Sequence, residues 1–403
     1  MNSGGGFSRR RFRLLRLDWK DDAVALRFGV ISADDHVVEL PDLWARCMSQ
    51  AKWGDRIPHV ATQADGTERW VIEGQIRTAS SLAATSALSK DRGSEPQVWS
   101  QVPQSAYDPH ARLAAMDADG IDCSVLYPSA AGISGEAICA IKDLDLQIEC
   151  ARVYNDWIVD VWAAASPRFV PQAILPAGSI EAAAVEARRA VGRGHKGVIM
   201  PAQPSQVNPA APHLYKPDWD PLWTIIQELD VPICFHAGSA PSVMFDISPA
   251  YDTAGARAFD NVRQSAGSAA LINGMVLSGI LYRFPKLQPV FPGSSIDYVP
   301  FALEALDHQW DRQRLAENEG FTQRPSEIFH RQCYVTTWKE KAGLRNRNYV
   351  GPDRILWESE FPRSASTYPE TARMIENNFA EVPAHERELI LWRNAARLYK
   401  LSI

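Results

Sequence analysis

No C-x-x-C pair occurs in this sequence, and its six cysteines are scattered at 47, 123, 139, 150, 234 and 333. Zinc ribbons and disulfide-built scaffolds are therefore not expected. Cys123, Cys234 and Cys333 sit in apolar, strand-like runs, where cysteine behaves as a small hydrophobe, and the chain reads as a reduced, cytoplasmic protein. No run of about 18 apolar residues occurs, so no segment is expected to span a bilayer. Net charge is −6, which leaves no basic footprint for nucleic acid. A G-x-S-x-G elbow, a G-x-x-x-x-G-K-[ST] loop and a G-x-G-x-x-G fingerprint are also missing. Serine hydrolysis, ATP use and a bound dinucleotide thus lack support. Ser8-Arg9-Arg10-Arg11-Phe12 opens like a twin-arginine export signal, but Arg16, Asp18, Lys20, Asp21 and Asp22 follow where an apolar stretch is required. Residues 1–27 read as a solvated basic extension.

From residue 28 onward, short apolar runs alternate with amphipathic segments of helical length. Strands are expected at Gly29–Ala33, Cys123–Tyr127, Val170–Leu175, Gly197–Met200, Pro232–His236, Gln288–Phe291, Cys333–Thr336 and Ile355–Trp357. Each is apolar at nearly every position, as strands buried on both faces are. Helices are expected at Asp145–Ala165, Ile180–Val191, Pro221–Leu229 and Tyr298–Arg314. Eightfold strand–helix alternation points to a closed α/β architecture, a (β/α)8 TIM barrel, over an open doubly wound sheet. Residues 28–403 are read as one barrel domain, with an insertion over about 40–110 after the first strand. That place lies at the C-terminal face, where barrels build their sites, so the insertion reads as a cap. Its Trp44, Trp53, Trp70 and Trp99 belong either to the cap's own core or to a substrate surface.

Asp34-x-His36-x-x-Glu39 closes the first strand. Residues two apart share a face of a strand, so Asp34 and His36 project together, and Glu39 follows in the loop. A carboxylate and an imidazole converging at a barrel mouth suit a divalent metal; a capping Asp and a satisfied histidine are the plainer alternative. His236 ends another buried strand before Ala237-Gly238, and Glu358 and Glu360 end the last one. His195 precedes the fourth strand and reads as a loop residue.

Taken together, the D-x-H-x-x-E start, Arg112–Asp122, Tyr154-Asn155-Asp156-Trp157, the His236 strand and Ala395–Tyr399 resemble the amidohydrolase-related family. That family includes aminocarboxymuconate-semialdehyde and resorcylate-type decarboxylases. The resemblance implies a TIM barrel, a catalytic metal, and ligand roles for Asp34, His36 and His236; homodimers are frequent in it. Two departures stand out. Glu360 replaces the usual Asp of the last strand, and Gly293 stands where the sixth strand usually ends in His or Glu. Asp297 lies four residues beyond that gap, as a sixth candidate ligand or a helix-start residue.

Four carboxylates and two histidines form the inventory of di-iron sites. With Gly293-Ser294-Ser295, the pattern is similar to a small group of TIM-barrel nonheme di-iron monooxygenases acting on coenzyme-A-linked diterpenoids in antibiotic biosynthesis. The expectation is therefore a two-iron, dioxygen-using monooxygenase with an external electron donor and an apolar, CoA-linked substrate. Its ligands would be Asp34, His36, Glu39, His236, Asp297 and Glu360, with Glu360 and Asp297 catalytic. The alternative is a mononuclear zinc or manganese decarboxylase or hydrolase using Glu360 for proton transfer. A barrel that has lost its chemistry, suggested by Gly293, is the third reading.

Overall fold

Strands without a polar face must be covered on both sides, and eight of them here pair in parallel in chain order. The computed structural model describes residues 23–77, 82–88, 95–238, 267–317 and 320–403. The eight are β1 (Ile31–His36), β5 (Cys123–Tyr127), β6 (Phe169–Ile174), β7 (Gly197–Ile199), β8 (Ile233–Cys234), β9 (Pro289–Phe291), β10 (Tyr334–Thr337) and β11 (Ile355–Trp357). This is the sheet of an α/β TIM barrel. Helices at Leu144–Trp157, Ile180–Gly192, Asp220–Leu229 and Val299–Arg312 follow individual strands. Two start on side-chain caps, Asp143 accepting from the Asp145 and Leu146 N–H groups and Ser179 from Ala182.

The barrel closes just beyond β11. The Glu360 N–H donates to the Asp34 carbonyl (3.0 Å), and the His36 N–H donates to that of Phe361 (2.6 Å). Asp35 knots the seam together, accepting from Ser32 Oγ (2.9 Å), Ser359 Oγ (2.6 Å), the Phe361 N–H (3.1 Å) and Ser124 Oγ. Arg112, on the helix Pro109–Asp119, donates to the His36 carbonyl (2.7 Å) and lies 4.2 Å from the Phe361 ring centroid. Burial holds its guanidinium down to about 10. β1 runs three residues further than the expected Gly29–Ala33, because Asp34, Asp35 and His36 are buried despite their polarity. Their partners come from distant segments, which composition cannot register.

Between β1 and β5 the chain forms the helices Leu43–Cys47 and Gln50–Trp53. An antiparallel sheet follows, made of β2 (His59–Thr62), β3 (Glu68–Ile72) and β4 (Gln75–Ile76). Trp44, Trp53 and Trp70 are buried. The indole N–H groups of Trp44 and Trp53 donate to the Cys150 carbonyl (3.0 Å) and Glu149 Oε2 (2.8 Å) on the helix Leu144–Trp157. They hold the insert to the barrel. The first 22 residues of the basic extension, and residues 78–81 and 89 of the Ser/Ala-rich run, lie outside the described residues. Among the described residues no helix is long and apolar enough to cross a membrane.

His195 is buried behind β7, its Nδ1 bonded to the Ala190 carbonyl (2.9 Å), and burial pushes its pKa down to about 4. A histidine depressed from an unfolded value near 6.5 contributes stability that is complete above that pH and lost as pH falls towards 4. Urea titrations between pH 7 and 4 are expected to show a loss of about 3 kcal/mol from this group. His195→Gln should flatten that loss; equal slopes for the two proteins would refute the assignment.

Candidate metal centre

The period-two geometry of β1 places Asp34 and His36 on one face, with His36 Nε2 3.5 Å from Asp34 Oδ1. β8 delivers His236 across the barrel: its Nε2 stands 2.8 Å from Asp34 Oδ2 and 3.3 Å from His36 Nε2. Glu360 completes the group, its Oε2 3.7 Å from His36 Nε2. One ligand atom from each of the four lies within 4.8 Å of the others, and all four residues are buried. Donor atoms held about 2.1 Å from a single ion stand roughly 3–3.4 Å apart, so these spacings bracket one cation.

The hydrogen bonds make the same case. His36 Nδ1 faces the Pro128 carbonyl (3.2 Å) and His236 Nδ1 the Ala237 carbonyl (2.8 Å). Those acceptors assign the protons to Nδ1 and turn both Nε2 lone pairs inward. Neither oxygen of Asp34 receives a hydrogen bond, although both are buried. Burial, then Glu360 and Asp35, push the Asp34 pKa well above the ordinary carboxylate range. Burial and the Arg363 charge push His36 well below the usual imidazole range. Inward lone pairs and an orphaned buried carboxylate are costly as a bare cluster. A divalent cation answers all of them, so the residues fit one.

Glu39 and Asp297, expected beside these four, stand elsewhere. Glu39 accepts the backbone N–H groups of Ser129 (3.2 Å), Ala130 (2.8 Å) and Ala131 (3.0 Å). It thereby clamps the loop after β5 whose Pro128 carbonyl orients His36, which makes it a positioning residue. Asp297 is exposed and bonds Ser295 Oγ (3.1 Å), close to the start of the helix Val299–Arg312. Asp297 thus sits as a residue near a helix start, Glu39 is taken up by backbone N–H groups, and the six residues do not form one ligand set. Ser134 Oγ accepts the His236 N–H (3.0 Å), an interaction no spacing in the sequence signals.

Strand alternation, which would pair Glu358 and Glu360 on one face, ends at Trp357. Glu360 is left-handed (φ 59°) and reaches the cluster through a turn. Glu358 is buried, and its Oε2 accepts the Gly293 N–H (3.1 Å). Gly293 is itself left-handed (φ +68°), and a Cβ there would lie 3.1 Å from His236 Cε1 and 3.2 Å from Glu360 Oε1. Gly293→Ala is therefore expected to destabilise the chain by about 1–2 kcal/mol. It should also weaken metal retention at least tenfold by displacing those two side chains. Unchanged metal affinity in that variant would show that the cluster has room this geometry denies.

A family model described as amidohydrolase matches residues 97–401. Gamma-resorcylate decarboxylase of Rhizobium sp. (strain MTP-10005) is 24% identical over 346 residues, covering 82% of this chain and 99% of its own. An amidohydrolase structure from Mycobacterium avium subsp. paratuberculosis K-10 superimposes with a TM-score of 0.73 at 20% identity, covering 93% of this chain and 100% of its own. A dihydroxybenzoic acid decarboxylase from Polaromonas sp. JS666, solved with bound manganese and the inhibitor 2-nitroresorcinol, gives 0.60 at 20% identity, covering 93% and 98%.

These relatives correct the functional expectation. The Rhizobium relative, which matches over 99% of its length, and the Polaromonas structure are decarboxylases, and the described structure gathers one four-residue cluster instead of six ligands. The di-iron monooxygenase reading is withdrawn. With it go the oxidoreductase class, the second iron, dioxygen, the electron donor and the CoA-linked diterpenoid. By the extent of the family match and the fold that carries it, the chain belongs to the amidohydrolase family.

Proposed function

We propose that this chain is a divalent-metal-dependent decarboxylase of a hydroxylated aromatic acid. The observation that carries the reading is the buried Asp34–His36–His236–Glu360 cluster with its orphaned Asp34 oxygens, on a chain whose relatives are resorcylate decarboxylases. Asp34, His36, His236 and Glu360 would hold manganese or zinc. A cation bound there supplies Lewis-acid polarisation of substrate oxygens and neutralises the two carboxylates.

The chain's own groups do the rest. Pro128 and Ala237 fix the imidazoles, and Glu39 fixes the loop bearing Pro128. Glu360 is the member best suited to move a proton: its 3.7 Å contact is the longest of the four described, and its side chain is the most exposed at 8%. As the bond between ring and carboxylate carbon breaks, its electron pair stays on the ring carbon. That carbon takes a proton from Glu360, CO2 leaves, and solvent reprotonates Glu360. The insert between β1 and β5 serves as a cap in this reading. Its Ala87 N–H donates to the Pro362 carbonyl (3.3 Å), two residues from Glu360.

The reading is tested by incubating manganese-loaded protein with 2,6-dihydroxybenzoate and its hydroxybenzoate isomers in D2O. Resorcinol or the corresponding phenol is expected, with one deuterium at the carbon that lost CO2. Recovery of every acid unchanged by a metal-loaded protein would overturn it.

A further inference from the structure

Beyond β11 the chain turns back at the barrel mouth. The Arg363 N–H donates to the Glu360 carbonyl (2.8 Å), and the Ser366 N–H donates to the Arg363 carbonyl (2.9 Å). Both backbone groups of Arg363 are thus fixed, three residues from the proposed proton donor. Its side chain is half-buried, and Nε is shut off from solvent with no hydrogen-bond partner. Among the described residues no carboxylate forms an ion pair with it. Arg189 and Arg347, by contrast, are each held by carboxylates. An arginine fork left with a buried, unsatisfied N–H bears a real cost and calls for an explanation.

The neighbourhood supplies one. Arg363 stands one turn beyond Glu360, whose own N–H is bonded to the Asp34 carbonyl, so the backbone sets this arginine beside the cluster. Arg363 therefore brings a positive charge that no carboxylate of the described residues pairs with, and a planar fork is the geometry that recognises a carboxylate.

We propose that Arg363 is the carboxylate anchor of this site and sets its preference for aromatic acids over the neutral phenols they yield. The identity of the acid rests on the decarboxylase reading; the anion preference does not. The physics fixes which kinetic constant responds. A carboxylate loses its charge as it departs as CO2, so an arginine paired with it stabilises bound substrate more than the transition state. Loss of Arg363 accordingly raises KM and leaves kcat unchanged or slightly higher.

The test measures binding and turnover on manganese-loaded wild type, Arg363→Gln and Arg363→Lys, after checking equal metal content and circular dichroism. The probes are 2,6-dihydroxybenzoate and neutral resorcinol. Arg363→Gln is expected to weaken the acid at least 30-fold and resorcinol less than twofold. Arg363→Lys should recover part of the loss by keeping the charge without the fork. The proposal is overturned if the variant weakens both probes equally, if it leaves acid binding unchanged, or if wild type binds neither better than background. Arg363-dependent acid binding without CO2 release would uphold the anchor and count against the decarboxylase reading alone.

Discussion

Replacing Asp34 with asparagine is expected to strip the protein of metal and lower CO2 release at least 1000-fold, while making the metal-free chain more stable. Opposite signs follow from one feature. In the absence of a cation, Asp34 is a buried carboxylate with no donor to either oxygen, 2.8 Å from an imidazole nitrogen whose lone pair points at it. Asparagine keeps the shape, offers an N–H to His236 Nε2 and is neutral without binding a proton, whereas burial pushes the Asp34 carboxyl well up, so folding the metal-free chain costs that group its ionisation. Relief of that cost contributes on the order of 1–3 kcal/mol. Metal reverses the ranking, because a ligand that binds only the folded state stabilises it by mass action. Chemical denaturation of both proteins, with chelator and with manganese, reads out the two signs. A metal-free Asp34→Asn variant less stable than wild type would mean that the carboxylate has a partner this account does not include.

The second large effect belongs to Glu360. Glu360→Gln removes the proton, and kcat should fall by about 1000-fold, within the range of a lost general acid. Glu360→Asp is the sharper probe. It restores the residue type that the resemblance led us to expect, yet withdraws the carboxyl by about 1.5 Å, one carbon–carbon bond. Because Glu360 is left-handed and its position is set by the Glu360–Asp34 backbone bond, the strand end cannot slide to compensate. A misplacement near 1 Å costs about 100-fold, so the aspartate should restore chemistry only in part. Single-turnover rates at saturating substrate separate this from weaker binding. Full activity in the aspartate variant would place the reacting carbon closer to β11 than proposed.

The barrel was legible because its strands are buried on both faces, which writes them as unbroken apolar runs at fixed intervals. Cys123–Tyr127 and Ile355–Trp357 stand at their expected bounds. β1 does not, since Asp34, Asp35 and His36 look like a loop until Ser124, Ser359, Phe361 and Pro128 arrive from across the fold. Asp34 and His36 were found together because strand periodicity is local. Glu39 was misplaced for the complementary reason: three consecutive backbone N–H groups form its partner, and backbone has no sequence signature. Asp297 looked close by counting from Gly293, but the left-handed Gly293 and Ser295 turn the chain away before it. The same glycine was read as a missing base. It is also a place where a side chain would press on His236 and Glu360, with Glu358 holding its N–H. Inventory alone suggested six ligands and two irons; position leaves four groups around one point.

The measurement closest to the central claim is CO2 release by the manganese-loaded chain under strict anaerobiosis, without reductant, alongside a metal count on the same sample. The account predicts about one divalent ion per chain and steady conversion of a hydroxybenzoate to its phenol at a rate indifferent to oxygen. Product that forms only when oxygen and a reductant are added, or two metals per chain with no CO2, would contradict it.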